Sequence, residues 1–414
     1  MSRNPTTWIT GIVLAALFVS AGMSVAQINT PLSFTEITSP AATGSGEPNL
    51  TVASDGRVFL SWIESTDKAS FLKFSSLSAN NQWSAPQTIA QGDNWFVNWA
   101  DFPSMIALPD GSLAAHWLAK SGSGTYAYNV NIAFSRDSGK TWGKPIVPHR
   151  DGTQSEHGFV SLLPAAEGGL AAIWLDGRKM ASAGHDTHAE PSGDMTLMYT
   201  TIQPNGTLGK EMPIDARVCE CCQTSAARTG DGIAVVYRDR SPQEVRDIAI
   251  ARFSKGVWSQ PENLSKDGWQ INGCPVNGPS ISATGNFVAA GWFNAPNESP
   301  LVKVALSKDG ARTFGSAVRV DDGDPVGRVD VVALPSGGAL VTWLEKTKTG
   351  AQVKMRRVNT DGARQPSIVV SETSTGRSSG FPRMKVSGNR VVVAWTDSAN
   401  GGKVRTAAMR LPSL

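Results

Sequence analysis

Cysteine, tyrosine and histidine are all scarce in this chain, at four, four and five among 414 residues. Four cysteines permit three complete disulfide pairings, and the sequence does not choose among them. The tyrosines stand at 126, 128, 199 and 237, so the C-terminal part of the chain offers no phenol. An excess of one charge is also missing. The 38 basic and 35 acidic residues leave a formal net charge of +3, which argues against nucleic-acid binding and against a polybasic membrane surface. Beyond the first 26 residues no stretch reaches the ~18 consecutive apolar residues of a membrane helix.

The first 26 residues carry a different pattern. Arg3 supplies a basic start, Ile9 to Ala21 form a short apolar core, and Ser24-Val25-Ala26 gives small residues before a cleavage point. This is the pattern of a secretory signal peptide. It predicts a mature chain over 27–414 that is periplasmic or secreted, in a compartment where thiols oxidise or bind metal.

What is abundant is turn-forming glycine (41) and proline (24), with 13 tryptophans. From Gln27 onward one unit recurs. A segment of alternating apolar and small residues is followed by a turn, then by an apolar strand ending in an aromatic. The aromatics are Trp62, Trp117, Trp174, Tyr237, Trp292, Trp343 and Trp395, spaced by roughly 50–60 residues, a period suited to four-stranded propeller blades. The runs have period 2, which excludes a helical solenoid. The sequence therefore predicts an all-β, seven-bladed β-propeller of four-stranded antiparallel blades, with six blades as the alternative. The last blade lacks an outer strand, and Leu32 to Ile37 can supply it, removing an exposed edge.

Two turns, Ser135-Arg-Asp-Ser-Gly-Lys-Thr-Trp142 and Ser307-Lys-Asp-Gly-Ala-Arg-Thr-Phe314, place an Asp where it can bind backbone N–H groups of a tight bend. On these turns the chain resembles the sialidase-like, Asp-box (bacterial neuraminidase repeat) superfamily of propellers. That resemblance implies the propeller fold and a glycoside hydrolase of sialidase type. The chain departs from the family's catalytic pattern. Gly46-Glu47-Pro48 stands in the place of an Arg-Ile-Pro element, and no tyrosine lies in the last three blades.

Loops leading into inner strands share a propeller face with loops joining second to third strands. On that face the register gathers Glu156, His157, Asp176, Arg178, His185 and His188 from blade three. Blade four adds Cys219, Cys221, Cys222, Arg238, Asp239 and Arg240, and blade five adds Cys274. Three readings compete for the cysteines. They form a disulfide staple, a redox pair, or a copper or zinc site with His157, His185 or His188. Cys219-x-Cys221-Cys222 is taken as differing from the usual Cys-x-x-Cys hook. His116 is expected to be packed, and His149 to lie on the surface. Arg238 and Arg240 can hold an anionic group, or belong to an ion-pair ladder. Arg328 and Arg383 add positive charge at the central mouth, and Trp95 and Trp99 offer a stacking wall for a sugar.

The leading expectation is an exported propeller that binds a small-molecule, glycan or metal ligand at blades three to five. One alternative is an exo-glycosidase acting on acidic sugars, with Asp176, Asp239 or Glu156 as acid and base and Arg238 and Arg240 on the carboxylate. Another is a non-catalytic platform for a protein partner.

Overall fold

In the computed structural model, residues 1–2, 32–165, 168–180 and 193–412 are described. The signal-peptide expectation and the His185 and His188 loop lie outside the described residues. The described residues from 32 onward fold as seven antiparallel sheets arranged as a propeller. The inner strands of blades one to seven begin at Ser45, Ser104, His157, Ser225, Ser280, Pro325 and Arg383. No helix among the described residues is long and apolar enough to cross a membrane.

The repeated aromatic marks the second strand of each blade. Trp62, Trp174, Trp292 and Trp343 are fully buried, and Trp117, Tyr237 and Trp395 nearly so. Strands such as Leu170–Asp176 are buried along their whole length because neighbouring blades cover both faces. A buried indole N–H must find an acceptor. Here a carboxylate two residues further on supplies it: Trp62 donates to Glu64 (2.8 Å), Trp174 to Asp176 (2.8 Å) and Trp343 to Glu345 (2.6 Å).

Closure follows the sequence expectation. Thr35–Ile37 pairs with Lys403–Arg410, Thr35 opposite Ala408 and Ile37 opposite Thr406. Blade two has three strands, with an isolated bridge from Ile146 to Ile132 of the third in place of a fourth.

The two aspartate turns are built alike. Asp137 accepts from the backbone N–H (2.9 Å) and hydroxyl (2.6 Å) of Thr141, and Asp309 from the same groups of Thr313 at the same distances.

At the opposite ends of the inner strands the chain makes a different bend. Glu47, Phe159, Val276 and Arg328 all have φ between 47° and 57°, a left-handed conformation that bulky and β-branched residues rarely adopt.

Candidate functional site

The cysteine loop is pinned at its start. Val218 N–H donates to Met195 O, and Cys219 N–H to Arg238 O at the end of the second strand of blade four. At its end Gln223 donates to Ala100 O of the blade-two loop (2.7 Å) and accepts from Gly278 N–H of blade five (2.9 Å). Between these anchors Cys219 and Cys222 are buried, Cys221 is half-buried and, on the next loop, Cys274 is exposed.

All four are free thiols. Cys219 Sγ lies 3.0 Å from Cys222 Sγ and 3.8 Å from Cys221 Sγ, and these three sulfurs all lie within 4.8 Å of one another. The disulfide staple is therefore not formed: these separations exceed the ~2.0 Å of a covalent bridge. The closest pair, Cys219 and Cys222, is a Cys-x-x-Cys pair with Glu220 and Cys221 between. The sequence reading passed over that spacing.

A charged frame surrounds the sulfurs. The guanidinium of Arg246, almost wholly buried, stands 3.3 Å from Cys219 Sγ, 3.0 Å from Glu220 and 2.8 Å from Glu244. Arg240 pairs with Glu244 at 2.9 Å. Burial alone raises a thiol pKa. At Cys219 this is outweighed by contacts from Cys221 and Cys222 and by the Arg246 charge, so the thiol is held well below its usual range. Cys222 is pushed up by burial, and Cys221 by its thiol neighbours.

His157 is not part of this cluster. It meets Asp151 at 3.2 Å and stacks on His149, with ring centroids 3.7 Å apart. His149 is accordingly buried, 6% exposed, rather than on the surface. The loop leading into blade three folds back on its own inner strand, and no local sequence pattern signals that path.

The proposed arginine clamp is not assembled either. Arg238 is 1% exposed and donates to Asn277 O, Phe293 O, Arg246 O and Asn294 Oδ1. No donor remains for a substrate carboxylate. Asp176 is fully buried, holding Trp174 Nε1 and the Arg178 fork. Asp239 remains half-buried, and desolvation raises its carboxyl to about 6. Trp95 stacks on Trp117, Trp99 covers Arg328, and Arg383 lies over Phe102. These rings pack the fold instead of forming an open wall.

One group was read only in part from the sequence, which singled out Glu156 but not Asp101 or Tyr128. Tyr128 Oη lies 2.8 Å from both Asp101 Oδ2 and Glu156 Oε1. A phenol has one proton to give, so two ionised carboxylates cannot both be served. Burial pushes Asp101 up to about 7 and Glu156 up to about 8. The pair therefore shares a proton through the tyrosine near neutral pH. Gly158 permits this approach: a Cβ there would fall 1.9 Å from Asp101 Oδ2. Asp101 lines a cavity of 280 Å³ on the propeller axis, with Phe159, Gln223, Thr224, Asp330 and Arg383. Its only sequence signal was an Asp in a loop leading into an inner strand.

No protein-family profile matches the chain, and no curated protein does. Solved structures share its fold at low identity. A polysaccharide lyase of family PL25, an ulvan lyase bound to a glucuronate–sulfated rhamnose unit, aligns at TM-score 0.58 and 11% identity, over 89% of this chain and 95% of its own. A protein of unknown function from Dyadobacter fermentans aligns at 0.53 and 14%, over 92% and 98%. The GH93 α-L-arabinofuranosidase of Fusarium graminearum, solved with arabinobiose, aligns at 0.50 and 14%, over 91% and 97%.

Proposed function

We propose that this protein is an exported propeller that binds a thiophilic metal ion, copper or zinc, through Cys219, Cys221, Cys222 and Cys274. The carrying observation is the convergence of three free thiols, Cys219, Cys221 and Cys222, within 4.8 Å of one another, with Cys274 on the next loop and Cys219 held toward its thiolate beside Arg246. Thiolates select Cu(I) and Zn(II) over harder ions. The apolar, signal-like segment before Gln27 supports export, and the Asp137 and Asp309 turns support a place among the Asp-box propellers. Metal content and free thiols counted on one reduced, metal-loaded sample test the reading. One ion per chain is expected, lost in the Cys221→Ser, Cys274→Ser double variant. Unchanged stoichiometry in that variant would sink it.

A second reading is favoured by the Asp101–Tyr128–Glu156 group at the axial cavity. Two carboxyl groups with a shared proton are the equipment of acid–base cleavage of a glycan. The fold neighbours named for an ulvan lyase and an arabinofuranosidase make acidic and neutral polysaccharides the first substrates to try. Absence of products across sialoside, uronide and arabinan panels would remove it.

A further inference from the structure

In the inner strand of blade one, Ser45–Val52, Gly46 pairs with Ile63 and the next pair is Asn49 with Ser61. The inner strand advances one residue more than its partner, which makes a bulge. Glu47 sits in that bulge with φ 51°. The same bend recurs at Phe159 and Arg328, whose side chains are buried and occupied. Phe159 belongs to the core, and Arg328 donates to the carbonyls of Gly376 and Gly380. Glu47 differs from them. Its carboxyl has no hydrogen bond or ion pair among the described residues, and desolvation raises it to about 7.

Glu47 lines a cleft of 340 Å³ between blades one and seven, together with Gly46, Val97, Ser378 and Thr396. Thr396 is the second group without a partner. It is 5% exposed, and its buried Oγ1 makes no hydrogen bond among the described residues. A buried polar group left unpaired is costly, and native proteins carry few of them. Here two such groups, a carboxyl and a hydroxyl, share the wall of one cleft. Gly46 keeps the space between them clear: a Cβ added there would meet Thr396 Oγ1 at 4.0 Å.

The lining decides what fits. No Lys, Arg or His lines the cleft among the described residues, and Glu47 is its one ionisable side chain. An anion would meet a carboxyl with no cation to hold it. A primary ammonium supplies three donors and the positive charge that Glu47 lacks. The hydroxyls of Thr396, Ser378 and Ser65 can bond the ammonium or hydroxyl groups of the same molecule, and Val97, 38% exposed, gives apolar contact for its carbons. The cleft is at the lower end of the ~300–1,000 Å³ of small-molecule sites, which suits a compact ligand.

We propose that this cleft binds a small hydroxylated organic amine, with Glu47 as counter-ion of the ammonium and Thr396 Oγ1 as a hydrogen-bond partner. The site uses neither the thiol cluster nor the Asp101–Tyr128–Glu156 group, and it needs no metal.

Three probes of one carbon skeleton test this by calorimetry on the intact protein: 1-amino-1-deoxyglucitol, glucitol and gluconate, at a pH just above neutral where Glu47 is charged. The amine should bind roughly tenfold or more tightly than glucitol, and gluconate should not bind. Glu47→Gln should erase that advantage. Thr396→Val keeps the shape, removes the hydroxyl and should weaken the amine about threefold or more. Neither side chain has a partner to lose, so both variants should keep at least the wild-type urea midpoint. The Cys221→Ser, Cys274→Ser variant should bind the amine as the wild type does. Equal binding of amine and glucitol by the wild type, a comparison that needs no variant to fold, would overturn the site. So would no saturable binding of the amine, binding indifferent to Glu47→Gln, or loss of binding in the cysteine variant.

Discussion

Arg246 Nη1 lies 3.3 Å from Cys219 Sγ, with the guanidinium almost wholly buried between the sulfur and the carboxylates of Glu220 and Glu244. The cation faces a buried thiol that is held toward its ionised form. A metal competes with protons for thiolates, so whatever stabilises the thiolate extends binding to lower pH.

Replacing Arg246 by Gln should therefore raise the pH at which half the zinc is retained, by about one unit. The sign follows from Cys219, whose pKa rises once the neighbouring positive charge is gone. Metal content measured after dialysis across pH 5–8 checks this. An unmoved midpoint would remove Arg246 from the site. The same change leaves Glu220 and Glu244 short of a partner and should cost about 3 kcal/mol of stability.

Arg238 separates a structural role from a catalytic one. Its donors meet three backbone carbonyls and the Asn294 side chain, tying blade four to blade five, and its guanidinium covers Trp269. Arg238→Met leaves these buried acceptors unpaired, each costing on the order of 1 kcal/mol or more. The expected loss is roughly 3–5 kcal/mol in urea unfolding, with metal stoichiometry unchanged. A variant of wild-type stability that fails to bind an anionic glycan would restore Arg238 to the site.

The sequence carried the architecture because each blade repeats its own evidence. Period-2 runs ending in Trp62, Trp174 or Trp395 mark second strands, and the missing last strand pointed to Ile37. The cysteine loop was legible for the same reason: the repeat register places it beside Cys274. The rest depended on how loops cross one another. His149 reads as a surface residue until its loop folds onto Trp174, with ring centroids 6.4 Å apart. Asp101 and Glu156 are 55 residues apart in number and meet only through Tyr128. Arg238-Asp-Arg240 looked like one charged motif. The strand Gly232–Arg238 ends at Arg238, which turns inward to backbone carbonyls, while Arg240 lies beyond the strand and stays with Glu244.

The shared proton at Tyr128 gives the protein a particular pH dependence. Asp101 is buried, and desolvation raises its carboxyl to about 7 despite hydrogen bonds from Phe159 N–H and Tyr128. An unfolded aspartate titrates near 3.9. Between about pH 4 and 7 the folded chain thus holds a proton that the unfolded chain has released, and stability falls as pH rises through that window. Above the folded pKa the loss is complete and the curve levels. Asp101→Asn keeps an acceptor for Phe159 N–H and a donor toward Tyr128, and removes the titration. Its stability should decline less between pH 5 and 8 than that of the wild type, by roughly 3 kcal/mol at ~1.4 kcal/mol per pH unit. Urea midpoints at pH 5, 6, 7 and 8 measure the two slopes. Parallel slopes would mean that Asp101 is already ionised in the folded protein. Tyr128 would then donate to one carboxylate alone, and the second reading of the axial cavity would lose its acid.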